Sequence, residues 1–335
     1  MRKALIVEII ALVLVLALAL GVCMSLERKP KEKDAETTTA AEEEPENPTQ
    51  PEPTETPAWV ELVENHTLTC KQYFVYDTKT STFVAQGGDA GVVYPASITK
   101  LMTCLVALEY LQPTENITAG QELDKVVWGS SVAGIKFGDT LTASQLVEAM
   151  LLPSGNDAAY VIAAAAGRKI LGNANADAST AVSAFMTRMN ARAVELGLTD
   201  SHFSNPDGIH DSNHYMSFSD LALLGKLAAA NETIRHNATL AVGNNPRFDP
   251  DNTAENAPKQ WKNTNLLVNP ESEYYCEYVI GLKTGQTPAA GSCLLSAFRY
   301  EGRDIIIGVF GCPETEDRFA DTLSLFYSLY ILKVD

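Results

Sequence analysis

Apolar and polar residues repeat along the chain with two different periods, and the change of period divides it into regions. Segments 73–76 and 82–84 alternate as β-strands do, on either side of a turn at Asp77-Thr78-Lys79, and predict a hairpin. Four later segments carry apolar residues at helical spacing and predict helices: 97–111, 141–152, 156–171 and 179–197. The middle of the chain is therefore predicted to be helical.

Strand patterns return near the end of the chain. They are predicted at 278–283, 291–300 and 304–312, and an amphipathic helix follows at about 316–332. Strands at both ends around a helical middle indicate an α+β fold, in which an antiparallel sheet brings the first and last strands together and is flanked by helices. A cleft between the helical insert and the sheet edge is the natural place for an active site.

The N-terminal region has a different character. Residues 4–24 are apolar apart from Glu8, and this length spans a bilayer core of about 30 Å. Residues 1–25 are interpreted as a signal anchor, with a cleaved signal peptide as the alternative. Residues 26–57, rich in Glu, Thr and Pro, predict a disordered linker, and residues 58–335 the folded catalytic domain.

Charge and cysteine usage narrow the partners and cofactors. The formal net charge of −17 argues against a nucleic-acid partner, whose phosphates would be repelled. The cysteines beyond the apolar segment have no short spacing, so they indicate neither a disulfide framework nor a metal site, although one disulfide stays open: Cys70, Cys104, Cys276, Cys293 and Cys312. We expect no metal and no organic cofactor.

The first of three short motifs is Ser97-Ile98-Thr99-Lys100. Residues three apart share a helix face, so the Ser97 hydroxyl and the Lys100 amine can meet. A serine needs a nearby base to become a good nucleophile, and a lysine serves as that base only if its pKa is lowered by burial or a neighbouring cation. Taken alone, the motif equally describes an ordinary helix start.

The other two motifs are Ser154-Gly155-Asn156 and Lys283-Thr284-Gly285. The first precedes a predicted helix, where it could simply cap it or could supply Ser154 for proton relay and Asn156 for contact with the substrate or Lys100. The second lies on a predicted edge strand. There the lysine could discourage sheet pairing, hold an anion or depress the pKa of Lys100, while the backbone binds an extended peptide.

The three motifs, in this order and setting, resemble those of penicillin-recognising serine enzymes. Four surrounding stretches resemble the D-alanyl-D-alanine carboxypeptidase family, peptidase family S11, over roughly residues 73–330: YPASITKLMT, LLPSGNDAA, HFSNPDGIHDSNHYMSFSDLALL and GLKTGQTPAAGSCL. The resemblance implies a β-lactamase/transpeptidase-like fold.

The resemblance also implies catalytic roles. Ser97 would attack the carbonyl between two terminal D-alanines and become acylated, with Lys100 taking its proton. Ser154 would help to pass a proton to the leaving amine, and Asn156 and Lys283 would complete the catalytic group. β-Lactams would acylate Ser97 as well.

The substrate-binding residues implied by the family lie on the late strand. The backbone N–H groups of Ser97 and Gln286 would hold the oxyanion, and Lys283, Thr284 and Thr287 would receive the terminal carboxylate beside Gly285. Some relatives carry an arginine where this chain has Thr264, which predicts a weaker carboxylate clamp.

These expectations describe a peptidase that trims peptidoglycan stem peptides ending in D-Ala-D-Ala. It would be anchored through its N-terminal segment on the outer face of a bacterial cell membrane, or secreted to the cell wall if the segment is cleaved. The alternatives are a β-lactamase and a non-catalytic sensor of muropeptides or β-lactams. A transpeptidase or endopeptidase would share the acylation step and stays open at this point.

Overall fold

The computed structural model describes residues 66–88, 91–246 and 260–331. The predicted anchor, the predicted linker and the start of the predicted catalytic domain lie outside these residues. Within them, no helix is long and apolar enough to cross a membrane.

A five-stranded antiparallel sheet forms the frame of the fold. Its strands are β1 (Gln72–Asp77), β2 (Thr82–Gly88), β7 (Val279–Thr287), β8 (Gly291–Tyr300) and β9 (Arg303–Cys312), in the spatial order β2-β1-β9-β8-β7. The predicted hairpin and the pairing of the first strand with the last are both confirmed, with Phe74 opposite Gly308. This order leaves β7, the strand of the third motif, at one edge.

Helices pack on the sheet, and most of them come from the middle of the chain. They are α1 (Thr99–Tyr110), α2 (Ala143–Leu151), α3 (Asn156–Ile170), α4 (Ala178–Leu196), α5 (Phe218–Ala230), α6 (Glu232–Ala238) and α7 (Asp317–Phe326). Two small hairpins interrupt them, β3 (Asn116–Thr118) with β4 (Thr140–Thr142) and β5 (Val242–Asn244) with β6 (Gln260–Lys262). The fold is thus the predicted α+β arrangement.

Two boundaries differ markedly from the sequence predictions, and several elements were not predicted. The first helix begins at Thr99 and not at Ser97, because Pro95 precedes a 3₁₀ turn, Ala96–Ile98, and Ala96 has a φ of 49°. The last helix ends at Phe326 and continues as a π-helical turn, Tyr327–Ile331. Helices α5 and α6 and the two small hairpins were not predicted.

The hydrophobic core has two main parts, and alternate residues of β9 contribute to each. Ile306 belongs to the part that contains the helical insert, while Ile305 and Ile307 belong to the part that contains α7. With both faces covered, the central strands are almost continuously apolar. Cys104 of α1 is fully buried.

Candidate active site

The turn before α1 brings the serine and lysine of the first motif together. Lys100 Nζ lies 2.8 Å from Ser97 Oγ, 2.7 Å from Asn156 Oδ1 and 2.7 Å from the backbone oxygen of Asp207. The amine is therefore held by three acceptors, one of which is the candidate nucleophile. The predicted contact between Asn156 and Lys100 is present.

Lys100 has the electrostatic properties that a base requires. Its side chain is completely buried, and this burial lowers its pKa from 10.5 to about 8. The negative charges of Asp207 and Asp157 act in the opposite direction and keep the pKa from falling further. A substantial neutral fraction of the amine is thus available near neutral pH.

The second motif joins α2 to α3 with a strained backbone. Ser154 is 6% exposed and has a φ of 63°, a conformation that residues with a Cβ rarely adopt. The next turn of chain carries Asp157, whose carboxylate accepts hydrogen bonds from the backbone N–H groups of residues 133, 134 and 135 at 2.8–2.9 Å. Asp157 therefore fixes the loop 133–135 against the start of α3.

The third motif lies on β7 against the serine turn. A Cβ on Gly285 would lie 2.8 Å from the Pro95 carbonyl oxygen and 3.3 Å from Ser97 N, so glycine allows this close approach. Lys283 is fully buried and donates to the carbonyl oxygen of Thr284 at 3.0 Å. Burial lowers the pKa of Lys283 well below its usual value, helped by the positive charges of Lys100 and Arg318. The cause of the low pKa of Lys100 is its own burial, and not Lys283 as considered from the sequence.

These elements surround one cavity of about 610 Å³. It is lined by Ser97, Gly129, Ser130, Ser131, Asn156, Gly208, Ile209, Gln286, Thr287, Pro288, Gly291, Ser292 and Pro313. Of the predicted site residues, Ser97, Asn156, Gln286 and Thr287 line the cavity, whereas Lys100 and Lys283 are buried behind its wall. The cavity follows the edge of the sheet, as the predicted cleft does.

Comparison with known proteins identifies the family of this chain. Residues 60–314 match the family model Peptidase_S11, described as D-alanyl-D-alanine carboxypeptidase. The chain belongs to this family. The resemblance drawn from the three motifs is thereby confirmed.

Relatives agree with this assignment. A D-alanyl-D-alanine carboxypeptidase of Streptomyces sp. is 31% identical over 243 residues, which cover 68% of this chain and 76% of the relative. DacF of Bacillus subtilis is 28% identical over 69% of this chain, but the match spans only about half of that relative, 54%. The crystal structure of a Streptomyces DD-transpeptidase matches 79% of this chain and 99% of its own length, with a TM-score of 0.68 and 26% identity.

The S11 site contains a buried arginine that the sequence motifs did not reveal. Arg318, on α7, is 5% exposed, and its Nη1 donates to the Gly285 carbonyl oxygen at 3.3 Å. Among the described residues, its buried Nε has no hydrogen-bond partner. Thr264 occupies the position at which some relatives carry an arginine. Its hydroxyl instead shares a 2.6 Å hydrogen bond with the Thr284 hydroxyl. The guanidinium beside the third motif is therefore supplied from the last helix and not from residue 264.

The site also includes the backbone of Asp207, which precedes Gly208 in a pair typical of a turn. Its carbonyl oxygen accepts from Lys100, and Gly208 lies so close to the serine turn that a Cβ there would be 1.9 Å from the Ala96 carbonyl oxygen. The Asp207 carboxylate is fully buried, and its Oδ2 finds no hydrogen-bond partner within the part of the chain that the structure describes. Burial raises the pKa of Asp207, and the nearby charge of Lys100 opposes that shift.

One histidine near this turn, His214, has a structural role. His214 is 2% exposed, its Nε2 lies 2.8 Å from Thr99 Oγ1, and burial lowers its pKa to about 4. Such a group is neutral at pH 7 and fixes the start of α1. Within residues 66–88, 91–246 and 260–331, no three His, Cys, Asp or Glu side chains are grouped as a metal site.

Proposed function

We propose that this chain is a serine-type D-Ala-D-Ala carboxypeptidase that removes the terminal D-alanine from peptidoglycan stem peptides. The observation that carries the proposal is the 2.8 Å contact between Ser97 Oγ and a fully buried Lys100 whose pKa is about 8. Membership of the S11 family supplies the substrate class.

Acylation begins when Ser97 attacks the carbonyl carbon between the two D-alanines. Lys100 takes the hydroxyl proton, and Ser154 passes a proton to the leaving amine of the terminal D-alanine. The backbone N–H groups of Ser97 and Gln286 stabilise the oxyanion, a contribution of about 10²–10³ in rate for one such donor. Water then hydrolyses the ester with base assistance and frees the enzyme.

The terminal carboxylate of the substrate is bound at the end of β7. Thr284 and Thr287 donate through their hydroxyls, Lys283 supports the strand by donating to the Thr284 carbonyl oxygen, and the guanidinium of Arg318 supplies positive charge behind it. Arg318 is almost completely buried, so its field is weakly screened by solvent. Arg318 thus supplies the carboxylate site with the guanidinium that some relatives carry at the position of Thr264.

The geometry disfavours the two alternatives. A β-lactamase needs a group that activates water for rapid deacylation, but the Asp157 carboxylate is already occupied by the backbone N–H groups of loop 133–135. A sensor has no need of a lysine held against a serine. We therefore expect β-lactams to form a long-lived ester with Ser97.

The substrate places the enzyme outside the cytoplasm, in keeping with the cell-wall role of the family. Residues 1–25 are proposed to anchor it in the membrane, and residues 26–57 to act as the spacer that carries the domain towards the wall.

The proposal is tested by following D-alanine release from diacetyl-Lys-D-Ala-D-Ala. Wild-type protein should release one D-alanine per tripeptide, whereas Ser97→Ala should release none while keeping the same circular-dichroism spectrum. Release by the Ser97→Ala variant at the wild-type rate would refute the mechanism.

A further inference from the structure

An apolar rim borders the active-site cavity on the loop between residues 126 and 138. Trp128 is 97% exposed, Phe137 is 74% exposed, and Val132 and Val127 are about half exposed. The residues that follow Trp128, from 129 to 131, line the cavity itself. The exposed indole of Trp128 is therefore carried by the residue that immediately precedes the cavity lining in the chain.

This rim is held in place by hydrogen bonds. The Ser131 carbonyl oxygen accepts from Asn156 N at 2.9 Å, which ties the loop to the second catalytic motif. Within the loop, Ser130 Oγ donates to the Val127 carbonyl oxygen at 2.6 Å, and Trp261 Nε1 donates to the Ala133 carbonyl oxygen at 3.1 Å. Trp128 is thus presented on an anchored loop, which keeps low the entropy lost when a ligand binds.

Folding gains almost nothing from the Trp128 side chain where it is. Trp261 shows the contrast, because it is 1% exposed and packs in the core. Burial of a large apolar side chain typically stabilises a protein by about 1.5–3 kcal/mol, and the exposed Trp128 side chain does not contribute this stabilisation. Several exposed apolar side chains on one loop at the edge of a cleft mark a binding surface.

We propose that Trp128 binds a sugar ring of the glycan strand that carries the stem peptide. This inference rests on the proposed function, since a stem peptide continues from the scissile bond to the lactyl group of N-acetylmuramic acid. Taken as a sphere, the cavity is roughly 10 Å across, and the four residues between the scissile bond and the sugar span about 13 Å when extended. A peptide acylating Ser97 can therefore place its sugar at the rim.

The chemistry of the rim suits a sugar. The face of an indole ring carries partial negative charge, and the C–H bonds on one face of a pyranose ring present partial positive charge to it. An anionic lipid surface fits less well, because the formal net charge of −17 opposes its approach. Continuity of the rim with the substrate cavity also favours an occupant covalently joined to the substrate.

The test compares two substrates on the full-length chain in detergent. One is the free pentapeptide L-Ala-γ-D-Glu-L-Lys-D-Ala-D-Ala, and the other is the same peptide attached to the N-acetylglucosaminyl-N-acetylmuramic acid disaccharide. The variants are Trp128→Leu, which keeps apolar area but removes the π-face, and Trp128→Phe, which keeps a smaller π-face.

We expect Trp128→Leu to lower kcat/KM for the disaccharide-linked substrate about three- to tenfold, mainly through KM, and to leave that for the free peptide unchanged. Trp128→Phe should recover part of the loss. An equal loss with both substrates, or no loss with either, would overturn the sugar contact while the peptidase function stands. A wild-type protein inactive on both substrates would overturn both proposals.

Discussion

The rate at which a penicillin acylates Ser97 should follow the neutral fraction of Lys100. Since burial lowers the pKa of Lys100 from 10.5 to about 8, about one tenth of the amine is neutral at pH 7. A solvated lysine of ordinary pKa would be neutral in about 0.03% of molecules at that pH. The buried site therefore offers about 300 times more free base.

The assay is the labelling of the protein by a fluorescent penicillin, followed as a second-order rate constant between about pH 6 and pH 10. The rate constant should rise close to tenfold per pH unit below pH 7.5 and level off above about pH 9, because the neutral amine is then fully populated. Near-UV circular dichroism at each pH shows whether the protein remains folded.

Two variants separate Lys100 from other titrating groups. Lys100→Arg keeps a cation that cannot lose its proton, so acylation should be lost at every pH. Asp207→Asn removes a negative charge that favours protonated Lys100, so the midpoint of the profile should move to lower pH. A rate that is constant from pH 6 to pH 8, or that still rises tenfold per unit at pH 10, would refute Lys100 as a base of lowered pKa.

Three further predictions concern other parts of the site and fold. Arg318→Gln should lower kcat/KM for a peptide with a free terminal carboxylate about 30-fold but hardly change that for its C-terminal amide, measured as release of D-alanine or D-alaninamide. Gly285→Ala should slow penicillin labelling about 100-fold, because its Cβ would lie 2.8 Å from the Pro95 carbonyl oxygen and push β7 from the serine; unchanged labelling would contradict the close approach. Asp321→Asn should lower the free energy of unfolding in urea by about 2–4 kcal/mol. The reason is that the buried carboxylate accepts from Cys70 N at 2.8 Å and contacts His66 Nε2 at 2.6 Å. The penicillin labelling rate of the folded variant should not change.

Sequence patterns predicted the elements that carry strong periodicity. The late strands and helices α1–α4 show clear apolar repeats, and the three motifs lie on these elements or at their ends. Helices α5 and α6 were missed. In α5, nine of the 13 residues are apolar and they are not confined to one stripe, so periodicity is weak, and α6 has only seven residues. The start of α1 was placed two residues early because residues 96–98 form a 3₁₀ turn, in which Ala96 has a positive φ, and apolar periodicity does not distinguish such a turn from the first turn of an α-helix.

The missing parts of the candidate site have no local motif. Arg318 reaches the third motif from a helix 35 residues later in the chain, so only the packing of α7 on the sheet brings them together. The Asp207 contribution is a backbone carbonyl, which any residue possesses; the Asn205-Pro206-Asp207-Gly208 sequence indicated a turn but not its contact with Lys100. The proton-relay role of Ser154 stays a prediction.

The central claim, an acyl-enzyme on Ser97, is tested most directly by mass spectrometry of the full-length chain after incubation with benzylpenicillin. The account predicts a gain of one intact penicilloyl group, located on the peptide that contains Ser97, lasting through the measurement and absent from Ser97→Ala. An adduct on another residue, or no adduct with a folded wild-type protein, would contradict the account.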